Sequence, residues 1–343
     1  MAHTRNARRE SAYAFALATI LFLTPCARSS LAAPEEGVAY PMDVRAALAF
    51  FDIEPPQAIP EDAWASIPDK LDATWIRALA KVTRHGPGAR WRRALHEYAS
   101  RRETANPILD RLFADPEEPN RDILLTMRTT DSGIAPAEHA SNASPALFFG
   151  DARRKAALSL LVDAFADGDP KVRRTAVYAA WHRVEWANAG PETAARYEGF
   201  DWDRLERAAM TLLADKHPQT RGYAAEILGK RRHVAARKPI IEMAGNDDDD
   251  WARAAGTRAL RSYPPSEDAF LLLRRATRDN YCYVRYSAIQ AMLRYGERGE
   301  EVVCSLPEDR HWEVREAQRF VARAIKTRHA RREEAKHQRG AKP

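Results

Sequence analysis

His96 and Glu97 begin the His-Glu-x-x-His arrangement, in which two imidazoles one helical turn apart hold zinc and the glutamate activates water. Ser100 stands where the second histidine is required, so the pair reads as two residues of a helix surface. Asp131-Ser132-Gly133 and His139 put a serine and a histidine in one short stretch, but without the glycine-flanked turn that exposes a hydrolase nucleophile. The run Asp247 to Asp250 has the charge to attract calcium, yet it lacks the alternating ligands and the sharp-turn glycine of a calcium loop. Helix capping accounts for it better. No glycine-rich phosphate loop is present. The residues therefore point to no catalytic group, no metal ligand and no cofactor.

Arginines carry the stronger signal. Arg173, Arg221, Arg253, Arg285 and Arg315 each follow an acidic or polar turn and a small or branched apolar residue, and each leads into an alanine-rich stretch. Their spacings are 48, 32, 32 and 30 residues, the first lengthened by what reads as an insertion from Ala187 to Trp202. A fixed short period is the mark of a solenoid, in which each unit buries its apolar face only against its neighbours. Positions one before and three, six and seven after each arginine form an amphipathic stripe, for example Val284, Ala288, Ala291 and Met292. The position three after is Ala176, Ala224, Gly256 and Ala288, small enough for a neighbouring helix to approach closely; Gln318 departs from the rule, as suits a terminal unit facing water.

The elements that position these residues follow. First helices are expected over 152–165, 202–213, 236–243, 266–275 and 297–306, each joined by a capping turn to the second helix that starts just before its arginine. Carboxylates lie four to six residues before each arginine, so the arginines read as a structural Asp-Arg ladder within or between units.

The units Asp169-Pro-Lys-Val-Arg-Arg-Thr-Ala-Val-Tyr-Ala-Ala and Asp279-Asn-Tyr-Cys-Tyr-Val-Arg-Tyr-Ser-Ala-Ile-Gln-Ala-Met-Leu resemble HEAT repeats, in the short form named after phycobilisome lyases. The resemblance covers roughly residues 150–326. It implies an all-α fold, a right-handed α-α superhelix, and an array that mostly binds proteins, although a few members of the family handle tetrapyrroles, metals or nucleic acid. One HEAT-repeat hydroxylase family holds iron with several His-Glu pairs; this chain has the single pair at His96.

Residues 34–149 read as helical without a clean repeat, with apolar faces at Trp75, Leu79 and Val82, at Trp91, Leu95 and Tyr98, and at Ile108, Leu112 and Phe113. Diverged repeats and a separate cap both fit. Residues 1–32 read as an export signal: Arg5, Arg8 and Arg9, an apolar run from Tyr13 to Leu23, then small residues before a cleavage site placed after Ala32. The run is too short to span a bilayer as a stable helix, so the mature chain is expected to be periplasmic or secreted, with no transmembrane span.

Loss of that leader would lower the net charge from +6 to +3, and residues 326–343 alone carry +5, so the folded body between leader and tail is left at about −2. A nucleic-acid-binding solenoid carries positive charge on the array itself, which argues against that class. The basic tail, residues 327–343, suits contact with an acidic surface. Two cysteines, Cys282 and Cys304, remain after processing; they either pair or stay as buried thiols.

The expected binding face consists of positions one, two and five after each arginine. Tyr178, Tyr223, Arg258, Tyr286 and Phe320 are its large side chains, of the types that dominate interfaces, and in register they would line a concave groove. Filling the space between helices is the competing role for the tyrosines. On this assignment Arg258→Ala should alter stability by less than about 0.5 kcal/mol, while Ala288→Leu should overpack the contact between units. The favoured function is an exported scaffold that binds another protein. The alternative is a lyase, hydrolase or cofactor-handling protein whose site lies where 34–149 meets the array, with His96, Glu97 and His139 as its first candidates.

Overall fold

The computed structural model describes residues 59–85, 89–129 and 151–340; the expected leader, His139 and most of the 129–145 segment lie outside these. No strand occurs among the described residues. From residue 151 the chain forms five packed helix pairs: α6 (Asp151–Asp163) with α7 (Pro170–Ala187), α9 (Trp202–Leu212) with α10 (Pro218–Arg231), α11 (Arg237–Asn246) with α12 (Asp250–Leu260), α13 (Glu267–Ala276) with α14 (Cys282–Met292), and α15 (Glu297–Cys304) with α16 (Trp312–Gly340). The repeat arginine is the fourth residue of every second helix, from Arg173 in α7 to Arg315 in α16. The insertion between the first two units forms a short helix, α8 (Pro191–Ala195), and then packs Tyr197 into the core beside Trp202.

Residues 59–129 supply α1 (Glu61–Ala65), α2 (Ala73–His85), α3 (Ala89–Ser100), α4 (Arg102–Ala114) and α5 (Arg121–Thr129). Trp75, Leu79, Val82, Leu95 and Tyr98 are buried together, while Ile108 and Phe113 are only partly covered. On α5, Leu124 and Met127 face this cluster and Leu125 faces the core of the array. A helix buried on both sides in this way ties the two apolar clusters to one another.

Second helices pack on second helices, α5 on α7, α7 on α10, α10 on α12, α12 on α14 and α14 on α16. Glycines set the closest of these approaches. A Cβ at Gly222 of α10 would stand 2.1 Å from the Trp251 ring and 2.7 Å from Ala255 of α12, and one at Gly229 would stand 2.7 Å from the Ala259 carbonyl oxygen. Gly256, three after its arginine, instead meets Met243 and Ala244 of its own first helix α11. Gly256, three after its arginine, therefore serves the contact inside a pair, and Gly222, one after its own, serves the contact between units.

This corrects the expected outward face. Gly222, Glu226, Ala254, Ala255, Ser287 and Ala317 are all buried, because a second helix in the stack has a neighbour on each side as well as its own first helix. The apolar stripe of an ordinary surface helix is narrower. Gln318 is half-buried and reaches back to its own loop, donating to the Pro307 carbonyl at 2.9 Å and accepting from the Asp309 N–H.

α16 runs for 29 residues, so the span read as a basic tail continues the last helix to Gly340. Among the described residues no helix is long and apolar enough to cross a membrane.

Candidate binding face

Each repeat arginine spans two units. Its Nη1 donates to the backbone carbonyl six residues earlier, at Asp167, Asp215, Asp247, Asp279 and Asp309 in turn, and this fixes the guanidinium against the turn that starts its own helix. The other edge reaches the aspartate of the following unit: Arg173 to Asp215 at 2.6 Å, Arg221 to Asp247 at 2.6 and 2.8 Å, Arg253 to Asp279 at 3.1 Å, and Arg285 to Asp309 at 2.7 Å. The same carboxylates accept the N–H two residues on, as at His217 and Asp249. One carboxylate thus shapes its own turn and receives the previous unit's guanidinium, and for Arg221, Arg253 and Arg285 the contact has the planar two-bonded geometry that arginine favours.

The chain of contacts begins before Arg173. Arg121, the first residue of α5, donates to the Phe113 carbonyl and to both oxygens of Asp167. At the far end the one acidic partner of Arg315 among the described residues is Glu308, at 3.9 Å and largely exposed. These groups are consumed by structure and offer no ligand site.

The remaining chemistry lies on the second helices. Tyr178 and Trp181 of α7 pack on Tyr223 of α10, with ring centres 5.1 and 5.4 Å from it, and Tyr223 meets Trp251 of α12 edge-on at 4.9 Å. His182 closes the α7 end, 4.6 Å from both Tyr178 and Trp181. This is a row of rings across three units. Tyr178 is 39 % exposed and Tyr223, Trp181 and Trp251 are half-buried, so the row is packed on one side and open on the other. Burial pushes the Tyr223 hydroxyl above the ordinary tyrosine range. His182 is held down to about 4, mainly by burial and then by the Arg183 cation beside it.

The expected register breaks at α12. There the two-after and five-after positions are Ala255, which is buried, and Arg258, and the ring comes from Trp251, two residues before the arginine. Tyr286 lies half-buried beside Arg261 and Gln290, and neither it nor Phe320 makes a ring contact among the described residues. Phe320 is 48 % exposed on α16. Arg258 is not a free outward cation: it donates to Glu226, a carboxylate whose side chain is almost wholly buried. Lys230 likewise pairs with Glu185, at 2.5 Å.

The other sequence candidates do not converge. His96 is exposed, and Glu97 is engaged by Arg101 at 2.7 Å. Of the Asp247–Asp250 run, Asp247 receives Arg221, Asp249 caps α12 by accepting from Trp251 and Ala252, and Asp250 pairs with Arg253. No group of three or more potential metal ligands occurs among the described residues. A cavity of about 170 Å³ between α4, α5 and α6 is lined by Phe113, Leu125 and Leu160 together with Asp110, Asp163 and Asp167. Neither His96 nor Glu97 reaches it. Cys282 is half-buried and Cys304 exposed, and both are free thiols.

An arginine-anchored stack of helix pairs defines an α-solenoid, and its second helices carry an open row of rings. Residues 206–293 match the sequence profile of HEAT repeats, which covers the heart of the array from α9 to the end of α14. Repeats of this kind generally act as protein-interaction scaffolds. No curated protein matches the chain.

Proposed function

We propose that this chain is an exported scaffold that docks another protein on the face formed by its second helices. The observation that carries the reading is the row Tyr178, Tyr223 and Trp251, which places large, half-covered rings on three successive units with ion pairs beside them. Rings of this kind supply most of the contact energy at protein interfaces, since they desolvate a large area at small entropic cost. The repeat array, on this reading, extends N-terminally to the α4–α5 pair, whose Arg121 bonds Asp167 as each later arginine bonds its own aspartate.

Affinity capture from a native envelope extract with the purified mature chain tests the proposal. Replacing Tyr178 and Tyr223 together by alanine should weaken capture by roughly tenfold or more while leaving the fold intact. Deleting residues 327–343 should remove only a component that disappears with salt, because exposed charges act over about 8 Å at physiological ionic strength. Capture that survives the ring substitutions and is lost with the tail at high salt would overturn the docking face. Export is tested separately, by fractionation and by sequencing the mature N-terminus, which should begin at Ala33.

A further inference from the structure

The cations near the ring row are not equivalent. Arg258 is matched by Glu226 and Lys230 by Glu185, so their charges are spent within the face. Arg174 is different. It lies one helical turn before Tyr178 on α7, and its Nη1 stands 3.4 Å from His217 Nε2 at the start of α10. No carboxylate lies within 4 Å of its guanidinium among the described residues. The nearby acids are already engaged, Asp215 by Arg173 and Asp249 by the first turn of α12. His217 offers no compensating charge, since burial first and then Arg174 disfavour its protonated form. One half-buried guanidinium with open donors thus sits at the rim of an apolar, partly exposed row of rings.

We propose that this face reads an extended acidic segment of the partner, with an Asp or Glu side chain seated on Arg174 and an adjoining aromatic or proline residue lying on Tyr178, Tyr223 and Trp251. The inference rests on the docking face described above and assigns its specificity. Charge-assisted bonds from a planar guanidinium are the ones a carboxylate makes best, and the rings accept a flat apolar group without a specific partner atom. Second helices continue on both sides of Arg174, α5 before it and α10 after it, so the geometry suits a carboxylate within a passing strand better than one at a chain end.

The test is selection of displayed random peptides of about twelve residues on the purified chain, followed by anisotropy titration of the enriched peptides. The wild-type protein should enrich Asp or Glu within a few residues of Trp, Phe or Pro, and replacing that acid by its amide should weaken binding roughly tenfold or more. Arg174→Glu should reverse the preference to Lys or Arg at the same place. Its circular dichroism and melting should match wild type, because among the described residues the Arg174 side chain has no hydrogen-bond partner but His217. Failure to enrich any peptide, enrichment without an acid, or an acidic preference unchanged in Arg174→Glu would each overturn the proposal. Tyr178→Ala with Tyr223→Ala separates the two readings. Loss of binding there with no response to Arg174→Glu leaves the docking face standing and removes its acidic specificity; indifference to both removes both.

Discussion

Asp215 does two jobs with one carboxylate, shaping the turn before α10 and receiving Arg173, and its side chain is 5 % exposed. Removing it strands a mostly buried guanidinium, so Asp215→Ala should cost about 2–4 kcal/mol in urea unfolding. Arg315→Ala should cost less than about 1 kcal/mol, because its one acidic partner among the described residues is distant and solvated. Equal losses would mean that the aspartate contacts contribute nothing to holding the units together. Arg258→Ala now carries a different expectation from the one its sequence position suggested. It leaves the Glu226 carboxylate buried and unpaired, which should destabilise by about 1–3 kcal/mol in the same assay. The pH dependence has a definite sign. Arg285 holds Asp309 below the ordinary carboxylate range, so the stability that this pair contributes is present above about pH 4 and lost as the pH falls through the lower folded value. Asp309→Asn should flatten that acid limb of the unfolding midpoint.

At the scale of the helix, the small residues decide which surfaces meet. Gly222→Ala places a methyl inside the Trp251 ring, and α10 and α12 must separate or the ring must move. A loss of about 1–3 kcal/mol is expected, with a change in tryptophan fluorescence that marks the displaced ring. Arg232, at the end of α10, has φ 55° and ψ 37°, and the His233 N–H bonds back to the Leu228 carbonyl, a helix ending in which glycine is at ease. Arg232→Gly should therefore raise stability by up to about 1 kcal/mol.

The helices, their order and the place of the repeat arginines were legible because a period of about thirty residues repeats an acid, an arginine and an alanine stripe. The neighbour met by each position was not, since burial in a stack comes from three sides and periodicity reports one. Trp251 escaped notice for a related reason: it lies two residues before Arg253, outside the positions compared. Arg121 could have been found from Asp167, which stands six residues before Arg173 as every other acceptor aspartate stands before its own arginine; only the long interval between Arg121 and Arg173 hid it.

For the molecule as a whole, His182 links acidity to the face. Its folded value near 4 lies below the unfolded value of about 6.5, so the unfolded chain binds the extra proton and stability falls as the pH drops from about 6.5 to 4. His182→Gln should reduce that slope, measured as the urea midpoint across this range, to the smaller part that His217 contributes, and leave the Asp309 limb below it.

The aspartate contacts all run in one direction, from each unit to the next. A segment such as residues 247–278 begins with an acceptor aspartate and contains a donor arginine, Arg253, that expects another aspartate just after its end. A second copy inserted in tandem would meet the same joint on both sides, with Arg221 reaching the first Asp247 and each Arg253 reaching the aspartate that follows. The last pair lacks this property, because among the described residues no aspartate of a following unit receives Arg315. Length in this molecule is therefore a quantity that internal duplication can change without inventing a new joint, whereas growth past α16 requires one.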